Sequence, residues 1–353
     1  MAENSITYNF DEILSSTLIN WRNDGKYHDN VFKAIPSFWW IYEKMKASQQ
    51  GGERIAINLQ YGKNTTVGSY SRYDVIDTTP QDNQTTVYYP WAQFAGSVTI
   101  DGYSERINQG KSQIVNLLQA KVSELEGSMS EDLNRQLWQV SPGTKDILSI
   151  PSLIPLAPQT TDAMSPGGLS GTTKTYWRNQ TSQSSGSTWK AVIVEAKHLY
   201  NLCSKGGNKN GSGAPDLAIC DQNTYEHIEN YMTEQERYTD SDLGAKARSV
   251  GFENIKFKRA TLFWDEMVPD AYGDGTTGYN YDSGSYTYGA LYFLNTNYLE
   301  YVVMSGCDLK PQPFLKPVNQ DARTSLTLHM HNLCVSARRK HGVLHHITRS
   351  LVA

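Results

Sequence analysis

The chain has 353 residues, of which 39% are hydrophobic and 19% charged, and its net charge is −4. A surface this mildly acidic excludes broad, tight gripping of nucleic acid, which needs strong positive charge. A mean hydropathy of −0.53 with no run of 18 apolar residues excludes a helical membrane anchor.

The first residues carry neither a basic flank nor an apolar signal core. The four cysteines, Cys203, Cys220, Cys307 and Cys334, form no CxxC pair and no zinc-type spacing. Together these point to reduced thiols in a protein folded in a cytoplasm, with no metal and no cofactor. The hydrophobic fraction is low for one spherical core, so many side chains meet water or a polar interface.

Along the chain, Phe10, Ile13, Leu14, Leu18 and Trp21 fall on one face and predict a short amphipathic helix over Asn9–Trp21. In "AIPSFWWIYEKMK", Pro36 interrupts, and Trp39 and Trp40 need a surface to cover. The basic face of a membrane-surface helix is weak there, so the segment reads as an arm packed on this chain or a neighbour.

Ile55, Ile57, Leu59 and Tyr61 alternate as a strand, with "TTVYYPWAQFAGSVTIDG" as its return partner. Between them, 62–86 is rich in Thr, Asn, Ser and Tyr and almost without aliphatics. Such a tip projects into solvent or lies on another molecule.

A helix follows from Ser104 to Gln139, roughly 54 Å long at about 1.5 Å per residue. Its narrow apolar face, from Ile107 through Leu125 and Met129 to Leu137, suits a rod lying across a sheet. Irregular spacing, with Gly110 and Gly127 in the run, argues against a coiled coil.

Prolines and glycines between Pro142 and Gly171 mark an irregular connection. Beyond it, "TWKAVIVEAKHLYNLCSKGG" reads as a helix, and Leu217–Cys220 as a strand turning into a helix near Thr224. "FENIKFKRATLFWDEMV" reads as two short strands, so that 141–305 forms an α/β domain. In "LTLHMHNLCV", Leu326, Leu328, Met330 and Asn332 share one face and His329 and His331 the other.

Four motifs compete for chemistry. "GDGTTG" places Gly273, Gly275 and Gly278 as GxGxxG, but no strand delivers it and no helix starts from it, so it reads as a surface loop. The C-terminal histidines His329, His331, His341, His345 and His346 lack a third ligand in a recognisable pattern and read as structural. Asp265, Glu266 and Asp270 in "WDEMVPD" could pair for hydrolysis, the alternative function, although a surface turn explains them equally. The patch "ARRKHG" reads as a solvated strand end.

"GGERIAINLQYG", "YYPWAQFAGSVTIDGYSERINQGKSQIVNLLQAKV", "SPGGLS…TYWRNQ" and "PDLAICDQNTYEHIENY", in this order, resemble a tailed-bacteriophage major capsid protein of the HK97-like fold. The resemblance covers most of the chain from Gly51 to Tyr231. It implies an α+β chain with an N-terminal arm (1–50), an extended hairpin loop (51–103) and the spine helix of a peripheral domain (104–140). An axial α/β domain (141–305) and return strands of the peripheral domain (306–353) complete it.

By the same resemblance, the function is a non-enzymatic, icosahedral shell around packaged double-stranded DNA, assembled in a host bacterial cytoplasm and located in the virion. The partners it implies are the chain itself as pentamers and hexamers, a separate scaffolding protein, a portal and a decoration protein, with DNA touched weakly on the inner face and no membrane. The expected subunit-interface residues are Trp39, Trp40, Lys63, Tyr70, Arg72 and Tyr73. Some family members join subunits through a lysine–asparagine isopeptide bond. Lys63 is the only lysine of the hairpin loop, but no motif marks a partner for it.

Overall fold

The computed structural model describes residues 36–107, 117–160, 162, 164–185, 188–206, 213–234, 255–268, 288–316 and 320–348. The expected helix over Asn9–Trp21, the GxGxxG segment and Asp270 lie outside them. The chain divides into two compact units; the first takes Phe94–Asp132 and Leu309–His329, and the second takes Ala34–Gln93, Leu133–Asp308 and Met330–Ala353.

In the first unit, strand β4 (Ala92–Asp101) pairs with β12 (Ala322–Val335), and β11 (Lys310–Pro311) runs antiparallel to β12 with Lys310 opposite Leu328. Helix α2 (Gly102–Ile107) starts where β4 ends. The Gly102 N–H donates to the Asp321 carbonyl at 2.8 Å, and the Asp321 carboxylate pairs with Arg106 and, at 3.1 Å, with Lys316. Helix α3 spans Leu117–Trp138. The long helix expected over 104–139 is thus helical at both ends, and 108–116 lie outside the described residues.

The helix reaches the sheet through a missing side chain. A Cβ at Gly96 on β4 would stand 2.7 Å from both Leu125 Cδ1 and Met129 Sδ of α3. A narrow apolar face suffices because the strand has cleared room for it.

The facing of β12 is the reverse of the sequence reading. Ser325, Thr327 and His329 are buried, whereas Leu326 is exposed. The polar side chains turn inward because partners wait there: Ser325 Oγ donates to the Gln312 carbonyl at 2.7 Å, and His329 Nδ1 accepts the Leu309 N–H at 3.3 Å.

The second unit starts with helix α1 (Pro36–Met45), which leads into β1 (Lys46–Gln49). Pro36 is the first residue of the helix and not an interruption, a position where its missing N–H costs nothing. Strand β1 runs parallel to β10 (Leu299–Met304), and β10 is antiparallel to the second half of β12.

Strands β2 (Arg54–Gln60) and β3 (Gln84–Pro90) pair from Arg54 opposite Pro90 to Gln60 opposite Gln84. The return segment is therefore two strands and not one. Pro90 ends the first because it has no N–H to extend the ladder, and β4 leaves to pair with β12.

A six-stranded sheet, in the order β5-β13-β9-β6-β8-β7, forms the body of this unit. Its strands are β5 (Gln180–Gln183), β6 (Leu217–Cys220), β7 (Ile255–Phe257), β8 (Ala260–Trp264), β9 (Tyr288–Leu294) and β13 (Gly342–Thr348). A core shared with helices α5 (Trp189–Ser204) and α6 (Gln222–Glu234) includes Ile193, Leu199, Ile228, Phe293 and Leu344. Strands β10 and β13 sit in the opposite sheets to those that the sequence reading suggests. Apart from the exposed Glu300, both hold runs of consecutive buried residues, so alternation carries no sign of which sheet each joins.

The irregular stretch 142–171 includes a helical turn, α4 (Ile150–Leu153), where Ser149 Oγ accepts the Ser152 N–H at 3.2 Å. Its anchor is Arg338, which is buried and not solvated as expected. Arg338 Nη1 and Nη2 donate to the Asp162 carboxylate at 2.8 and 3.2 Å, and Nε donates to the Leu153 carbonyl at 2.8 Å.

Candidate functional site

The hairpin is rigid at its root. Tyr89 Oη donates to the Val335 carbonyl at 2.7 Å, and Asn332 Nδ2 to the Pro90 carbonyl at 2.6 Å. Gly167, at φ +70°, lies so close that a Cβ there would be 2.6 Å from Val87 Cβ. Tyr61 stacks on Tyr176 with ring centroids 5.1 Å apart.

Beyond that root, 61–83 is held by its own short-range bonds. Asn64 Oδ1 accepts the Thr66 N–H at 3.0 Å, and Asp77 Oδ1 accepts the Thr79 N–H at 2.9 Å. Asp74 Oδ2 accepts the Ser71 N–H at 2.7 Å, and Asn83 Nδ2 donates to the Lys63 carbonyl at 3.2 Å. The bonds to Asn64, Asp74 and Asp77 are turns in which an Asn or Asp side chain stands in for a backbone acceptor. The hydrogen bonds from Thr79 hold the Asp77 carboxyl below its ordinary range.

The tip spends its polar groups on itself and turns its apolar ones outward. Val67, Tyr70, Tyr73, Val75 and Ile76 are all exposed, Tyr73 at 94% and Val75 at 96%. Single exposed apolar residues are ordinary, but here five fall within ten positions. Val67, Val75 and Ile76 escaped the sequence reading, which took the tip as polar; the β-branched pair after Asp74 was the signal. An open concavity of about 640 Å³ beside them is lined by groups such as Asn64, Thr66, Thr79 and Gln81, with Asp82 its only charged side chain. It offers no convergent acid, base or nucleophile.

Of the other expected interface residues, Lys63 and Arg72 are exposed on the tip. Trp39 is 43% exposed and stands edge-on to Phe38, whereas Trp40 is half-buried, 6.5 Å from Phe263. Their helix is tied down by Asp265. That carboxylate accepts the Ser37 N–H at 3.1 Å, Asn134 Nδ2 at 3.1 Å and the Met267 N–H at 2.8 Å, together with the Ser37 hydroxyl. Trp138 Nε1 in turn donates to Ser37 Oγ at 2.9 Å.

Asp265 is therefore a buried cap on α1, its carboxyl pushed up by burial and partly restored by these donors. The exposed Glu266 does not face the same way. Among the histidines, His331 Nδ1 lies 2.5 Å from Tyr301 Oη, and His341 Nδ1 accepts the Asn295 N–H at 3.2 Å. Burial drives His341 down to about 3. His345 and His346 meet through their Nδ1 atoms at 2.7 Å, and burial, then His346, lowers His345 to about 4. Among the described residues, no group of three His, Cys, Asp or Glu side chains could hold a metal ion, and no helix is long and apolar enough to cross a membrane. The alternative reading as a hydrolase finds no support.

No protein-family model and no curated protein matches the sequence. Solved structures match in fold. The Cyanophage A-1(L) capsid protein aligns over 91% of this chain and 95% of its own, with TM-score 0.63 and 13% identity. A capsid protein of a native GTA particle aligns over 93% and 97%, with TM-score 0.55 and 8% identity. The SrpI encapsulin of Synechococcus elongatus PCC 7942 aligns over 96% and 97%, with TM-score 0.54 and 11% identity. The chain has the HK97-like capsid fold.

Proposed function

From this fold and the exposed hairpin, we propose that the chain is the major capsid protein of a tailed phage. Many copies close into an icosahedral shell around double-stranded DNA. The observation that carries the reading is the tip: five apolar side chains held out by a loop whose Asn64, Asp74, Asp77 and Asn83 bond to its own backbone. A second copy supplies the cover that this chain does not.

Lys63 and Arg72 flank that surface, and Trp39 adds an exposed ring on α1. Each contact is modest, and a closed shell sums many of them, so a misplaced subunit can still leave. Residues 1–50 act as an arm, 51–103 as the extended loop and 104–140 as the spine helix. Residues 141–305 form the axial body, and 306–353 supply the returning strands, β12 beside β10 and β13 within the six-stranded sheet. Pentamers and hexamers, a scaffolding protein, a portal and a decoration protein are the partners of this role, which is mechanical and played in the virion after assembly in the host cytoplasm.

The test is electron microscopy of the purified chain after size-exclusion chromatography, alone and with a co-expressed scaffold. Closed shells or five- and six-fold rings are expected. A monomer under both conditions would overturn the reading.

A further inference from the structure

Helix α5 shows solvent one uninterrupted stripe. Its inward positions, among them Val192, Ile193, Ala196, Leu199 and Cys203, are buried. Outward stand Lys190, Val194, Lys197, His198, Asn201 and Lys205. No carboxylate interrupts them. The helix's one acid, Glu195, turns aside and accepts Ser184 Oγ at 2.7 Å and the Ser185 N–H at 3.2 Å.

Neighbouring turns extend the charge. Between β7 and β8, Lys258 takes a left-handed backbone (φ +56°), donates Nζ to Asn201 Oδ1 at 2.6 Å and stands 4.8 Å from the Tyr200 ring centre. Burial, then the nearby Lys197, holds its amine below the ordinary lysine range. Exposed Arg259 follows it. At the helix C-terminus, a side chain on Gly206 would begin 3.7 Å from the Arg339 guanidinium. Lys340 is spent locally, donating to the Lys205 and Gly206 carbonyls at 2.9 and 2.7 Å. On the adjacent helix α6, Glu226 already accepts Gln222 Nε2 at 2.9 Å. Among the described residues, Lys190, Lys197, Lys205, Lys258 and Arg339 stand in no ion pair.

A chain of net charge −4 has thus gathered unneutralised cations on one face of its second unit. From Lys190 to Lys205 the stripe runs about 22 Å at about 1.5 Å per residue. The same length of duplex carries about 13 phosphates, one per roughly 1.7 Å. The cations on the stripe are lysines, point charges without the planar fork that reads a base edge, and the one exposed ring among them is the imidazole of His198. Such a surface fits a phosphate backbone without sequence preference.

We propose that this face of α5, with the Lys258–Arg259 turn and Arg339, is the surface that touches duplex DNA, and so is turned toward the packaged genome. The proposal rests on the shell reading above. It reconciles an acidic chain with a nucleic-acid lumen: the contact is confined to one stripe, weak enough to let DNA move.

Binding of a fluorescently labelled random-sequence duplex to the full unassembled chain, followed by anisotropy between about 50 and about 200 mM salt, tests it. The native chain is expected to bind weakly with a steep salt dependence. K190E/K197E/K205E should weaken binding at least about tenfold and flatten the log–log salt slope by about 3, near 0.9 for each lost phosphate contact. K190Q/K197Q/K205Q should do the same with less added repulsion. The charge-matched K145E/K174E/K310E, exposed elsewhere, should weaken binding far less.

Equal loss in both glutamate triples would reduce the effect to net charge and overturn the proposal. So would undetectable binding by the native chain. A stripe variant that binds DNA normally but no longer forms shells would make α5 a contact between copies, which also overturns it. Shell formation is scored separately by microscopy, so native shells with no DNA contact sink this proposal and leave the shell reading standing.

Discussion

Two buried residues state how the second unit resists change. Arg338 is fully buried, and its guanidinium is satisfied by Asp162 and the Leu153 carbonyl. Removing the cation leaves a carboxylate in the interior with no opposite charge, so Arg338→Met should cost about 3–5 kcal/mol by urea denaturation. Adding Asp162→Asn should recover part of that loss, since the uncompensated charge goes with it. His341 works through pH. Its folded value, about 3, lies below the ordinary 6.5 because burial penalises the cation. The unfolded chain therefore takes up a proton first as pH falls, and the native state loses stability from about pH 6.5 downward until the folded value is reached. Between about pH 6.5 and 4.5 this one group should remove about 2 kcal/mol, at about 1.36 per pKa unit. His341→Gln, which keeps an acceptor for the Asn295 N–H, should erase that part of the acid slope in denaturation curves taken across the same range.

At the scale of elements, single positions decide whether a helix or strand can reach its place. Gly96 lets α3 lie on β4; a larger side chain there meets Leu125 Cδ1 and Met129 Sδ. Both are mobile ends that can shift, so Gly96→Val should cost about 1–3 kcal/mol, as overpacking does, and lower the thermal midpoint without unfolding the chain. Asp265 does the same for α1, and Asp265→Ala would strand the Ser37 and Met267 N–H groups and the Asn134 amide in the interior. The sequence made the helical stretch over 117–138, the hairpin strands β2 and β3, helix α5 and the β6–α6 turn legible, because each carries its own period or turn residues. It did not make the sheet partners legible. Strands β10 and β13 do not alternate cleanly between apolar and polar, and β12 carries Leu326 outward and His329 inward, so its pattern pointed the wrong way. The hydrogen bonds that make an inward Ser325 or His329 acceptable come from Gln312 and Leu309, neighbours that only the fold brings across. At the candidate interface Tyr70 and Tyr73, which the resemblance had pointed to, are exposed on the tip. Val67, Val75 and Ile76 were hidden by the polar residues around them, and the stripe on α5 by the apolar residues that alternate with its lysines.

For the whole molecule, the shell proposed above would make the hairpin tip separate stability of the subunit from stability of the assembly. Val75 and Ile76 are exposed, at 96% and 59%, so they contribute little to the folding of the chain that carries them. Surface positions of this kind change stability by about 0.5 kcal/mol or less when substituted. In a shell, the same side chains would be buried against another copy, and each copy makes and receives the contact. Burying a Val or Ile is worth about 1.5–3 kcal/mol, and placing a carboxylate there instead adds a desolvation cost. Because every subunit bears the change, a defect small for one contact is repeated around the particle, and closure fails as a whole. Val75→Asp/Ile76→Asp should therefore leave the thermal midpoint of the unassembled chain nearly unchanged, while micrographs show free subunits where the native chain shows shells. If the double variant forms particles as readily as the native chain, the tip is not the seam between copies, and the cover for Tyr70 and Tyr73 has to be sought in a different partner.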